Sequence, residues 1–328
     1  MKYVILGQNG PEVSNVGLGC MGMSEFYGET DDKKSKKVIL RALENGVTML
    51  DTADMYGAGH NERLISKVLK EWGKDVFIAT KFGIVRKPGS YDREICGKPE
   101  YVREAVENSL KRLDIETIDL YYAHRIDITV PIEDTIGVMS DLVKEGKIKY
   151  IGLSEPSVET VLKAHAIHPI TCIQSEYSLL TREVEDRLLP VLRKNGIGFV
   201  PYSPLGRGLL TGKLTKEAIN NDNDLRKFLP RTSGENYDAN MSLVNSLKQI
   251  SDSKNITLSQ LALAWVLSKG KDIVPIPGTR NINYLMDNIN AVDVNLNDDE
   301  VKKIESVIIK GAVMGDRYTA EGMKGLNA

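Results

Sequence analysis

Val47-Thr48-Met49-Leu50-Asp51-Thr52-Ala53-Asp54-Met55-Tyr56-Gly57 reads as a short apolar strand ending on a carboxylate, with a tyrosine on the loop that follows. Burying a carboxylate costs on the order of several kcal/mol unless it is paired, so a cation is expected close by. The next strand-like run, 76–80, leads into Lys81, and the one after it, 118–123, leads into His124. Three consecutive strands thus bring an acid, a base and an imidazole to the same end. That pattern points to chemistry.

Outward from this stretch the same unit repeats. Before it, residues 2–7 and 12–16 flank Gln8-Asn9-Gly10-Pro11, whose Asn-Gly pair signals a β-hairpin. Residues 16–20 follow as a short buried strand, and 36–45 carry an apolar helical face closed by Gly46. After it, strands at 47–50, 76–80, 118–123, 150–153, 171–174 and 197–201 are each followed by helical periodicity, at 61–72, 99–113, 132–144, 158–165, 183–194 and 240–251. A long loop to about residue 237 precedes that last helix. A helix at 259–268, a strand at 272–276 and helices at 282–289 and 298–309 complete the chain. Eight strands separated by helices, with no compositional break, predict one domain over residues 1–328. Its fold class is α/β, a (β/α)8 TIM barrel with an N-terminal β-hairpin and extra C-terminal helices. An open doubly wound sheet is the alternative, and no GxGxxG follows the first strand to support it.

Composition narrows the function classes. The 328 residues are 41% hydrophobic and 27% charged with a net charge of −2, so nothing points to nucleic acid or an anionic membrane. Lys33-Lys34-Ser35-Lys36-Lys37 reads as a solvated face. The three cysteines form no CxxC, no apolar run is long enough for a membrane span, and the N-terminal run is too short for a signal peptide. A cytoplasmic protein is expected.

Barrel enzymes place reactive groups at the C-terminal ends of their strands, where Asp51, Lys81 and His124 fall, with Tyr56 on the adjoining loop. An ammonium near a phenol lowers its pKa and makes Tyr56 a better proton donor, while Asp51 balances Lys81. A neutral His124 orients a carbonyl. The set suits hydride addition to a carbonyl, so the later strand ends should hold a hydride donor. Ser154 and Gln174, ending strands five and six, can bind a carboxamide, and Tyr202 can stack on a planar ring. Tyr202-Ser203-Pro204-Leu205-Gly206-Arg207-Gly208 ends strand seven, and Gly278-Thr279-Arg280 opens a helix whose N-terminus suits a phosphate. Gly206 to Lys213 lacks the spacing and the Ser/Thr of a P-loop.

These stretches resemble the aldo-keto reductase family over nearly the whole chain. The matching segments are Leu50 to Gly57, Ala79-Thr80-Lys81-Phe82-Gly83, His124-Arg125, Gly146 to Ser154, Tyr202 to Leu210 and Ile276 to Arg280. The resemblance implies a barrel that binds NADPH in extended form and reduces small aldehydes or ketones. It implies a catalytic tetrad of Asp51, Tyr56, Lys81 and His124, with Tyr202 stacked on the nicotinamide and Ser154 and Gln174 on its carboxamide. Gly206 and Gly208 would let the loop close over the pyrophosphate, and Thr279, Arg280, Asn288 and the neighbouring Asp287 would serve the adenosine end. Two positions depart from relatives: Glu155 stands where many have Asn, and Asp287 where Glu is frequent. The tail from Gly315 to Met323 resembles a branch whose C-terminal segment lies near the barrel mouth.

Other residues have two readings. Met21, Met23, Tyr27, Met55 and Phe82 either line an apolar substrate pocket or pack. Arg125 either meets an anionic substrate group or pairs with a neighbouring acid. His165 and His168 lack companions for a metal site and read as surface residues. Two other functions compete with the NADPH-dependent reductase: a Schiff-base lyase using Lys81, and an NADPH-binding regulatory subunit. Physiological substrate and oligomeric state stay open.

Overall fold

Strand by strand, side chains of one parity meet inside a barrel and those of the other meet a surrounding layer of helices. The computed structural model describes residues 1–86 and 93–328. Strands run in the order β1 (Tyr3–Ile5), β2 (Glu12–Ser14), β3 (Leu18–Gly19), β4 (Met49–Asp51), β5 (Phe77–Phe82), β6 (Ile84–Arg86), β7 (Arg93–Ile95), β8 (Ile118–Ala123), β9 (Ile148–Ser154), β10 (Cys172–Glu176) and β11 (Gly198–Tyr202). The barrel helices begin with α1 (Asp32–Glu44), α2 (His60–Trp72), α3 (Pro99–Leu113), α4 (Ile132–Lys144), α5 (Val158–Ile167) and α6 (Leu188–Lys194). They continue with α7 (Lys216–Ile219), α8 (Gly234–Ser246), α9 (Lys248–Ser253), α10 (Leu258–Ser268), α11 (Ile282–Asn290), α12 (Asp298–Val307) and α13 (Ala320–Met323).

The main sheet runs β11-β10-β9-β8-β5-β4-β3, parallel throughout. Its two edges are joined by the expected eighth strand, which pairs only through isolated bridges, Phe199 with Ile273 and Gly19 with Gly278. The reason lies in Val274-Pro275-Ile276-Pro277. Val274 and Ile276 donate to the carbonyls of Phe199 and Pro201, while Pro275 and Pro277 have no N–H and only accept, from Gly17 and Gly19. The seam is tight. A Cβ on Gly19 would fall 2.8 Å from the Ile276 carbonyl, and one on Gly278 2.8 Å from that of Gly19.

Met49, Ala79, Leu120, Tyr122, Cys172, Val200, Val274 and Ile276 fill the barrel interior. The hairpin β1–β2 plugs it with Leu6 and Val13, both fully buried. Tyr122 has room because a Cβ on the facing Gly152 would lie 2.4 Å from its ring. The opposite parity, Leu50, Ile78, Phe82, Tyr121, Ile151 and Phe199, packs with helix residues such as Ile39, Leu64, Val106 and Met139. Several helices start on caps the sequence supplies. Asp31 accepts from the Lys34 N–H, and Thr257/Gln260 and Asn297/Glu300 form capping boxes, each cap contributing about 1 kcal/mol.

Several elements differ from expectation. The first barrel strand is only two residues long, and an antiparallel hairpin, β6–β7, follows the third. The helix expected at 183–194 is a 3-10 turn, Glu183–Glu185, followed by α6. The one expected at 240–251 begins earlier and breaks into α8 and α9. No helix among the described residues is long and apolar enough to cross a membrane.

Candidate active site

Asp51, Lys81 and His124 continue the inward parity of Met49, Ala79 and Tyr122, so they converge at the top of the barrel. Lys81 Nζ lies 2.5 Å from Asp51 Oδ1 and also donates to the Thr52 carbonyl at 2.7 Å. Gln174 Nε2 donates to the other Asp51 oxygen at 2.8 Å. Both ion-pair partners are buried, Lys81 completely. Burial pushes the Asp51 carboxyl up and the Lys81 ammonium down, and their contact opposes both shifts. Two acceptors on the ammonium and two donors on the carboxylate suit the ionised pair.

Above this pair the Tyr56 and His124 rings meet edge to face, centroids 5.8 Å apart, with Lys81 Nζ 5.3 Å from the Tyr56 ring centre. Burial lowers the His124 pKa well below its usual value, helped by Arg125, Lys81 and Arg93, so the imidazole is neutral at pH 7; its Nδ1 is buried without a partner. Burial, then Asp51, pushes the Tyr56 phenol well above its ordinary value, with Arg125 opposing. This reverses the expectation of a lowered phenol pKa: burial and the Asp51 charge outweigh the cations nearby. Tyr56 therefore holds its proton.

A cavity of about 860 Å³ opens over these rings. Asp51, Tyr56, His124, Ser154, Gln174, Tyr202, Ser203, Pro204, Leu205, Arg207, Gly208, Gly278, Thr279, Arg280 and Asn288 line it, as do Met21, Tyr27, Met55 and Arg125. Lys81 sits beneath it rather than on its wall, which disfavours the Schiff-base reading. Three other candidates lie off the wall. Phe82 has the outward parity, is fully buried, and packs on Tyr121 at 4.9 Å between centroids. Gly206 serves the turn: its φ is +56° and a Cβ would lie 2.7 Å from Leu180 Cδ1. Asp287 sits on α11 next to the lining residue Asn288.

Several proposed ligand groups are already engaged. Arg280 donates to the carbonyls of Tyr27 and Glu29, and Asn281 caps α11 by accepting from Asn283 and Tyr284 N–H groups. Arg207 pairs with Glu176 at 2.6 Å and stacks on Tyr318. The loops after the first and seventh strands also meet: Gly28 N–H donates to Asn223, Leu225 N–H to Phe26, and Tyr27 bridges Asp224.

The tail closes the other side. Tyr202 Oη donates to Glu155 at 2.8 Å and contacts Tyr318 Oη at 3.0 Å. Burial alone would raise the Glu155 carboxyl, but Arg317 and Arg125 hold it below the usual range. Sequence reading placed the tail near the mouth without assigning Arg317 or Tyr318, and it missed Arg86 and Arg93, which carry no motif. His165 Nδ1 accepts from the Ile170 N–H and His168 Nδ1 contacts Ser140. No cluster of metal-binding side chains occurs among the described residues.

The sequence pattern of the Aldo/keto reductase family matches residues 15–309. A probable aldo-keto reductase 1 from Glycine max is 48% identical over 320 residues, 97% of this chain and 92% of that one. Among solved structures, a glycerol dehydrogenase from Gluconobacter oxydans superposes with a TM-score of 0.85 at 27% identity, covering 93% and 94% of the two chains. The holo form of an aldo-keto reductase from Bacillus halodurans gives 0.79 at 30% identity, covering 97% and 99%. Sequence, fold and the convergence of groups at the barrel mouth agree: the chain belongs to the aldo/keto reductase family, oxidoreductases that act on carbonyl and CH–OH groups with a nicotinamide cofactor.

Proposed function

We propose that this protein is an NADPH-dependent reductase of small aldehydes or ketones in which Tyr56 supplies the proton. The observation that carries the reading is the pairing of a protonated phenol with a neutral imidazole at the cavity floor, above a buried Lys81–Asp51 pair. The cavity fits an extended dinucleotide. It runs from these rings past Ser154 and Tyr202 to Arg280 and Asn288, and Lys213, its ammonium 4.7 Å from the Tyr284 ring centre, adds a cation to the same wall.

When bound, the nicotinamide supplies hydride. Tyr202 offers a ring face, Ser154 a hydroxyl and Gln174 its amide oxygen, since its nitrogen is tied to Asp51. Residues 203–208 wrap the phosphates; Ser203, Gly206, Arg207 and Gly208 all have positive φ, a strained turn of the kind found at ligand clamps. Gly278, Thr279, Arg280 and Asn288 hold the adenosine end, with Arg280 exchanging backbone carbonyls for phosphate. His124 donates one ring N–H to the substrate oxygen and orients it. Tyr56 Oη then gives that oxygen its proton as alkoxide character develops, and Lys81 stabilises the phenolate left behind.

NADPH oxidation with methylglyoxal and a nitrobenzaldehyde, followed by absorbance, tests this reading. Tyr56→Phe, which removes one hydroxyl, should lower kcat by about a hundredfold or more while NADPH still binds. Equal kcat in both proteins would remove Tyr56 from the mechanism.

A further inference from the structure

The reaction proposed above leaves Arg125 without a task, although it follows His124 and lines the same cavity. The residue is 7% exposed. Its hydrogen bonds go to two neutral acceptors, the His124 carbonyl at 2.6 Å and Ser154 Oγ at 3.1 Å, and its Nε is buried with no partner. Among the described residues no carboxylate comes within ion-pair distance. Asp127, the nearest acid along the chain, accepts from Gly97 N–H, Thr129 N–H and Thr129 Oγ1. Burial alone would lower the Arg125 pKa, but Tyr202, Tyr318 and, at longer range, Glu155 outweigh it and raise the value. The Glu155 oxygens are themselves taken by Arg317, Tyr202 and the Glu176 N–H, so this carboxylate makes no contact with the guanidinium.

Arg93 lines the cavity too, and its hydrogen bonds also go to neutral oxygens, the carbonyls of Glu321 and Gly322 at 3.2 Å each. Of the other arginines lining this cavity, Arg86 pairs with Glu25, Arg207 with Glu176 and Arg226 with Asp224, while Arg280, on the loop after the eighth strand, donates to the carbonyls of Tyr27 and Glu29. Arg93 and Arg125 instead face one another's charge, which with burial lowers the Arg93 pKa. A guanidinium taken out of water without a counter-ion costs free energy, and a fold keeps one where a ligand supplies the anion.

We propose that Arg125, assisted by Arg93, binds a carboxylate on the substrate, so that this protein reduces oxo acids, aldehydes or ketones carrying a carboxylate on a short apolar spacer. The proposal rests on the reductase reading and narrows its substrate class. The planar guanidinium matches a carboxylate with two parallel donors, and Nε is the donor that stands free. Arg125 directly follows His124, whose ring meets that of Tyr56, and all three line the cavity, which puts the carbonyl and the carboxylate within one small molecule's reach. Met55, Ile84 and Phe26 supply the apolar wall between.

The experiment compares 3- and 4-carboxybenzaldehyde with their methyl esters, using NADPH and wild type, Arg125→Gln, Arg125→Lys and Arg93→Gln. The acid-to-ester ratio of kcat/KM within each protein cancels any common loss of folding or cofactor affinity. Wild type should favour an acid at least tenfold, Arg125→Gln should bring the ratio to about one, and Arg125→Lys and Arg93→Gln should fall between. A wild-type ratio of one or less for both isomers, or a ratio unmoved by Arg125→Gln, overturns the proposal. Calorimetry of terephthalate on the NADP-loaded protein separates the two readings. If no aldehyde is reduced but terephthalate binds wild type and not Arg125→Gln, the anion site stands and the reductase reading falls; no binding, together with no reduction, overturns both.

Discussion

Asp54 carries a stability consequence of its own. Its Oδ1 is sealed from solvent without a partner, and burial, then the neighbouring Glu62, push its pKa up to about 8. An unfolded Asp titrates near 3.9. Between those values the folded chain holds a proton that the unfolded chain has released, so this group's contribution is full below about pH 4 and is lost as pH rises towards 8. Asp54→Asn should raise the melting temperature at pH 8 by a few degrees and change it less at pH 5, read by thermal scans at both. At this scale much was legible before the structure. The residues at strand ends announced themselves because acid, base and imidazole are poor choices for a core. Phe82 was readable too: one place beyond Lys81 in a period-two strand, it must face the helices. The isolation of Arg125 was not, since it depends on where Asp127 and Glu155 spend their oxygens. Nor was the raised Tyr56 pKa, because the proximity of Lys81 says nothing about how deeply the phenol is buried or how near it lies to Asp51.

Among elements, the tail and the end of β9 are joined by a buried ion pair. Glu155, at φ +56°, accepts from both Arg317 terminal nitrogens, at 3.0 and 3.3 Å, and the Asn327 N–H bonds its carbonyl. Arg317→Met strands the carboxylate and should cost about 3 kcal/mol in denaturant unfolding, whereas Arg317→Met with Glu155→Asn should recover most of the loss. The recovery follows because Asn tolerates the left-handed region and carries no charge to strand. Helix periodicity and caps made α1 to α5 readable to within a few residues. The eighth strand was readable as an apolar run, but its weak pairing follows from alternating prolines, which leave one side with acceptors alone. The β6–β7 hairpin escaped notice because three-residue strands give too little alternation to separate from a loop.

Across the whole molecule, barrel closure could be inferred from the count of strand–helix units, while the covering of the mouth could not. That covering comes from segments far apart in sequence, residues 26–28 against 223–225 on one side and 317–327 on the other, and no local pattern couples them. The contact between the first pair spans the end of the eighth strand, where Arg280 binds the Tyr27 carbonyl at 2.5 Å and Arg226 stacks on the Tyr27 ring at 5.1 Å. A dinucleotide bound along this wall as proposed would be clasped rather than laid in an open groove. For a cofactor seated there as proposed, departure would require the two backbone hydrogen bonds between these loops to part, so release of the spent cofactor is expected to set the pace of turnover. Rapid mixing should then show a burst of NADPH oxidation followed by a slower steady rate, and Arg226→Ala, which loosens the clasp, should shrink the burst. Selection on this clasp would act on tempo: the oxidised cofactor must leave at every turnover, so a tighter clasp slows the cycle and a looser one quickens it while weakening the hold on the reduced form.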